Sequence, residues 1–271
     1  MKNAPLPLAV CITLWVAGCS DDPSKQPTCD GKFFGLPSES TGLDADICAP
    51  ECRCGDVSFV ATIHLEEEIN RLAATTLIAP PPTPDVDPYA ASVLPIADTE
   101  SVCTVVPDDN MPRAYRLETV RADTAGDGII THFNACGLCS SLQDLSVYMR
   151  YPDLTTPVRA CAMLSVTGPD EDSLACIADL GFTDPCAKIW FYNSRNTRYE
   201  CLGPCLAALE DPYQFPDGSL NRCLACDEEK SGPVFKAVAG RTRRNTGLAS
   251  AICRPCAEVG HLTHDYSAVV D

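Results

Sequence analysis

The chain has 271 residues, with 37 acidic against 20 basic side chains and a formal net charge of −17. Such an excess of carboxylate repels nucleic acid and anionic membrane surfaces, so a nucleic-acid role for the whole protein is disfavoured. The length suits one large domain or two small ones, and 18 cysteines point to an oxidising compartment.

Residues 1–18 read MKNAPLPLAVCITLWVAG, apolar from Leu6 to Val16 except for Thr13, with Lys2 the only charge before Asp21. A permanent membrane span needs about 20 apolar residues, so this run fits the core of a secretory signal. The stretch Val16-Ala17-Gly18-Cys19 resembles the lipobox of bacterial lipoproteins. The resemblance covers only the first twenty or so residues. It implies cleavage before Cys19, a lipid on Cys19, and anchoring of the chain to a membrane of a bacterial cell envelope. Ser20 stands where an Asp would favour inner-membrane retention, which implies the outer membrane, on its periplasmic or surface face. More than one acyl chain on Cys19 would make the anchor stable.

Residues 19–47, rich in Ser, Asp, Pro and Gly, read as a tether. Residues 48–135 form a first, strand-containing part. It opens on Cys48, Cys52 and Cys54, followed by a predicted strand at 57–63 and a predicted helix at 65–77 whose acidic first turn suits the helix dipole. The run APPPTPDVDPY at 79–89 excludes helix or inner strand and is a linker or surface loop. AYRLETVR (114–121) and IITHF (129–133) read as partner strands across a turn. From 136 to 271 the pattern is helical, with candidates at 140–149, 157–166, 172–180, 184–209 and 233–240. The expected fold is α+β: a small strand-containing N-terminal part and a mainly helical, disulfide-stapled C-terminal part.

Cys11 leaves with the signal and Cys19 takes lipid, so sixteen cysteines remain, enough for eight disulfides. Cys29, Cys48, Cys52, Cys54, Cys103, Cys161, Cys176, Cys186, Cys201, Cys205, Cys223, Cys226, Cys253 and Cys256 are the structural candidates. Cys201 and Cys205 are spaced i, i+4 and Cys223 and Cys226 i, i+3, each pair on one helix face. A turn between them would let two antiparallel helices be stapled twice, Cys201 to Cys226 and Cys205 to Cys223. Zinc competes for such pairs, but an oxidising envelope disfavours free thiolates. No metal or other cofactor is expected.

Cys136-Gly137-Leu138-Cys139 follows a predicted strand at a helix start, where the dipole would favour thiolate. This resembles the dithiol of thioredoxin-like proteins, with Thr156-Pro157-Val158 resembling their proline segment. The spacing and the missing βαβ pattern depart from that family. A thiol–disulfide oxidoreductase would use Cys136 and Cys139, with His132 nearby as a base; the alternative is a structural pair.

The polar run YNSRNTRYE (192–200) interrupts an apolar helix stripe, which suggests that Tyr192, Asn193, Arg195 and Arg198 line a polar cavity. GRTRRNTG (240–247) gathers Arg241, Arg243 and Arg244 between two glycines. Their planar forks suit carboxylate or phosphate. A small anionic ligand is one expectation and an envelope protein partner another. The arginines could equally pair with the chain's own carboxylates, leaving a structural surface protein without a site. His261 and His264 in the tail have a metal-compatible spacing but read as exposed and idle. Common hydrolase and nucleotide-binding motifs are missing.

Overall fold

Short β-branched runs cut by turn residues fold as small sheets in the first half, and the longer runs after residue 141 fold as helices. The structure is a computed structural model and describes residues 29–124, 126 and 128–270. The signal sequence and the lipobox with Cys19 lie outside the described residues.

Strand β1 (Phe33–Phe34) pairs in parallel with β2 (Cys48–Ala49) and antiparallel with β9 (Arg254–Pro255). Early and late segments of the described chain thus meet in one sheet, locked by Cys48–Cys253 and Cys52–Cys256. Strands β3 (Glu51–Cys54) and β4 (Val57–Val60) form a hairpin whose two-residue turn starts at Gly55 with φ 59°. Helix α1 (Glu66–Ala73) buries Ile69 and Leu72. It stops before the expected end because Thr76–Leu77 becomes β5, edging a sheet ordered β5-β7-β6-β8. In that sheet β6 (Ser101–Pro107) lies between β7 (Ala114–Arg121) and β8 (Ile129–Phe133). The expected direct pairing of 114–121 with 129–133 is therefore corrected. Buried Val102, Cys103 and Val105 make β6 the better partner of both.

The predicted helices are all present: α2 (Leu142–Arg150), α3 (Thr155–Thr167), α4 (Asp170–Ala178), α5 (Asp184–Leu206), α6 (Arg222–Lys230) and α7 (Gly232–Ala239), followed by one-turn α8 (Arg243–Thr246) and α9 (Ser267–Val270). The fold is α+β. One fully buried carboxylate starts two of these helices. Asp144 is bonded by the N-cap hydroxyl of α2, Ser141 Oγ, at 2.6 Å and by the N-cap amide of α5, Thr183 N, at 2.8 Å. This satisfies end groups that would otherwise be orphaned. The largest core joins both halves, with Ile69, Val105 and Tyr115 packed among Leu142, Leu145, Ile177 and Ile189.

The expected tether is corrected from Cys29 onward. Cys29 is bonded to Cys54, Thr41 Oγ1 donates to the Ala251 carbonyl at 2.6 Å, and Leu43 is buried. The proline-rich run is a surface loop fastened down: the single Tyr89 hydroxyl proton is shared between Asn193 Oδ1 at 2.7 Å and the Ser231 carbonyl at 3.0 Å.

Candidate binding groove

The sixteen cysteines after Cys19 all form disulfides. Cys201–Cys226 and Cys205–Cys223 staple α5 to α6 in the arrangement their helical spacing allows, and Cys161–Cys176 joins α3 to α4. The dithiol alternative for Cys136 and Cys139 is not formed; both are structural cysteines. Cys136 is bonded to Cys103 and Cys139 to Cys186, and Cys139, Cys186 and Cys103 are fully buried. The reason is the path of the backbone. Residues 138–139 lie along the end of α7, with Leu138 N and Cys139 N donating to the carbonyls of Val238 and Ala239 at 3.0 and 2.9 Å. A side chain on Gly137 would sit 2.5 Å from the Val238 carbonyl oxygen, so Gly is needed for the close approach. Among the described residues no group of three or more His, Cys, Asp or Glu could hold a metal ion.

His132 is buried beside this turn, with Nε2 2.7 Å from Ser140 Oγ and Nδ1 2.8 Å from its neighbour's carbonyl, Phe133 O. Burial, helped by Arg241, holds its pKa well below the ordinary value. It is a neutral, fully satisfied core residue and meets no thiol. His261 and His264 do not converge: His261 stacks on Phe59 at 4.6 Å, and His264 is bonded to Tyr266 Oη at 3.0 Å and the Thr246 carbonyl at 2.8 Å.

The five candidate arginines divide. Arg241 is completely buried and donates to Cys139 O, Thr131 O, Thr131 Oγ1 and Ser140 O at 2.7–3.1 Å. Burial lowers its pKa, and it is a lock for the 131–140 turn. Arg195 clamps the proline-rich loop through Asp87 at 2.5 Å, with Asp170 at 3.5 Å. Tyr192 reaches the Pro84 carbonyl of the same loop at 3.5 Å. Neither Arg241, Arg195 nor Tyr192 faces an open site. Arg198, Arg243 and Arg244, together with Asn193, do line a single groove of about 520 Å³.

That groove has a simple construction. One stripe of α3 (Val158, Ala162, Val166) faces one stripe of α5 (Trp190, Ser194, Arg198, Leu202, Leu206), each spaced by four residues as a helix face allows, with Met163 beside the first and Leu209 just past the end of the second. The helices run antiparallel here. Arg198 Nη1 donates to Ser165 Oγ at 2.7 Å near the end of α3, while Tyr213 Oη, beyond α5, meets Thr156 Oγ1 at 2.8 Å near its start. Leu224, Asp227 and Phe235 of α6 and α7 supply the floor.

The polar run of α5 is explained by this floor. Thr197 donates to Asp227, and Asn193 Nδ2 to the same carboxylate at 3.4 Å; Asn196 Nδ2 donates to Ser231 Oγ at 3.0 Å. Burial pushes the Asp227 carboxyl upward, opposed by the Thr197 hydrogen bond. At one end Glu228 is shared by Lys236 at 2.9 Å, Arg244 at 3.4 Å and Arg254. Burial would raise its pKa, but these three cations hold it at about 2. Arg243 donates to the Tyr151 and Ala249 carbonyls and lies over Tyr148; burial lowers its pKa to about 10.

Besides Arg243, two groove cations bond no carboxylate among the described residues. Arg198 bonds only Ser165 Oγ and the Ala162 carbonyl. Arg159, exposed on α3, makes no hydrogen bond or ion pair with a described residue. At the deep end the Tyr148 hydroxyl and Trp190 indole N–H are buried without a hydrogen bond of ordinary geometry, each having the other as a polar neighbour. Arg159 and the apolar walls were missed in the sequence. Their signal was α3 itself: VRACAMLSV (158–166) is apolar over more of its circumference than one core-facing stripe needs.

A model of a family of unknown function (DUF8771) matches residues 170–262, from the start of α4 to beyond β9, which includes α5, the groove floor and the Glu228 cluster. No curated protein and no solved structure matches the chain.

Proposed function

We propose that this is a lipid-anchored binding protein of a bacterial cell envelope, stiffened by disulfides, that holds a small anionic ligand in the groove between α3 and α5. One observation carries this reading. In a chain of net charge −17, the groove lining holds six cations (Arg159, Arg198, Lys236, Arg243, Arg244, Arg254) against three carboxylates (Asp153, Asp227, Glu228). Apolar walls with a few placed polar groups are the ordinary build of a small-molecule site, and guanidinium forks select anions.

The eight disulfides suit an oxidising extracellular or periplasmic setting. Among the described residues no helix is long and apolar enough to cross a membrane, so anchoring rests on Cys19. Replacing Cys19→Ser should move the protein from the membrane pellet to the soluble fraction; retention in the pellet would count against the anchor.

The site is tested with 1-anilinonaphthalene-8-sulfonate, an apolar ring system bearing one sulfonate. The mature chain with Cys19→Ser should bind it at one site. The Arg159→Gln/Arg198→Gln double variant should bind it at least tenfold more weakly with an unchanged melting temperature. Equal binding by the two proteins would contradict the reading. The oxidoreductase alternative loses its geometry, since Cys136 and Cys139 are tied elsewhere.

A further inference from the structure

Resting on the groove being an anion site, we infer that its ligand is a single-chain amphiphile: one anionic head at Arg198, and an unbranched apolar tail laid along α5. The argument begins with what is left uncovered. Met163, Val166, Leu202, Leu206 and Leu209 are all more than half exposed along the two walls. Large apolar side chains gathered in one patch mark a surface that something covers. A small hydrophilic anion such as citrate would satisfy the arginines and leave these walls wet. A neutral lipid would cover the walls and leave the Arg198 guanidinium without a counter-charge. A single-chain anion answers both demands.

The geometry also sets the tail. Leu202 and Leu206 follow Arg198 turn by turn on the same face of α5, with Leu209 just past its end, and the helix rises about 12 Å from Arg198 to Leu206 at 1.5 Å per residue. A saturated chain the length of laurate, when extended, covers that span and continues past Leu206 toward Leu209. The volume of about 520 Å³ lies in the range of small-ligand sites. Arg198 is held to α3 through Ser165, so the head-binding group is already oriented before the ligand arrives. The occupant is therefore a free single-chain carboxylate and not a bilayer surface, which the acidic remainder of the chain would repel.

Calorimetric titration of the mature Cys19→Ser chain, without detergent and below micelle formation, tests this with octanoate, decanoate, laurate, dodecanol, citrate and vesicles of phosphatidylglycerol. Laurate is expected to bind one to one. Each two-carbon extension from octanoate should tighten binding on the order of tenfold, as buried methylenes do. Dodecanol should bind at least tenfold more weakly than laurate. Leu206→Gln should weaken laurate and leave octanoate nearly unchanged. Equal binding of dodecanol and laurate, no dependence on chain length, or binding of the vesicles alone would each overturn the inference. So would a dimer in sedimentation that covers Leu206 and Leu209 and excludes laurate. If the sulfonate probe binds with its arginine dependence but laurate does not displace it, only the amphiphile inference falls. If neither binds, the anion site falls with it.

Discussion

At the scale of single residues, the two buried histidines control the response to acid. Burial lowers the His264 pKa to about 4 and holds His132 well below the ordinary value. A group whose folded pKa is depressed favours its neutral form. The two histidines therefore stabilise the fold fully above about pH 6.5, and this is lost as pH falls toward 4. Asp144 has the opposite sign: burial raises it to about 6, so its contribution is present below about pH 4 and lost as pH rises through 6. Asp227, also raised by burial, shares the sign of Asp144; because the histidine contribution is already being lost from about pH 6.5 downward while Asp144 gains only below about 6, the melting temperature should fall between pH 7 and pH 5. His264→Gln should flatten that slope; an unchanged slope would rule His264 out as its source. The arginines show what a sequence carries at this scale. Their chemistry was legible, as was the chance that they serve the chain's own carboxylates, which holds for Arg195 and Arg244. That Arg241 would be buried on carbonyls was not, because its acceptors come from residues 131, 139 and 140, about a hundred positions away.

At the scale of elements, helices were easier to read than strands. Helix periodicity and the Asp184-Pro185 start are local signals, and α2 to α5 lie close to where those signals put them. Strand β6 has apolar residues on both faces and no alternation to announce it. Its insertion between β7 and β8 is a long-range fact that no local pattern encodes. The same holds for the cysteines. Helical spacing could suggest the two α5–α6 staples, whereas the partners of Cys136 and Cys139 depend on how the sheet and α5 pack. Peptide mapping of the non-reduced protein should therefore yield Cys103–Cys136 and Cys139–Cys186. Recovery of a Cys136–Cys139 peptide would contradict this account of the turn. Cys139–Cys186 and Cys48–Cys253, each buried at both ends, should also be the slowest to open in mild reductant, because thiolate attack needs access.

At the scale of the whole molecule, the bonds that tie residue 48 to 253 and 52 to 256 close nearly the entire described chain. Loops of that length give the largest restriction of the unfolded state, on the order of 4–5 kcal/mol for an isolated bridge in the chain-entropy model. Such a frame can leave apolar side chains exposed along one groove without losing its shape, which a less constrained fold of this size would find costly. The groove also carries its own reporter. The chain has two tryptophans, and Trp190, which lines the groove, is the only one among the described residues. The most direct measurement is energy transfer from Trp190 to bound 1-anilinonaphthalene-8-sulfonate. The account predicts saturable quenching of Trp190 with matching rise of the dye, both lost in Arg198→Gln. Dye that binds without quenching Trp190, or quenches it equally in the variant, would contradict the claim that this groove is where the protein binds anions.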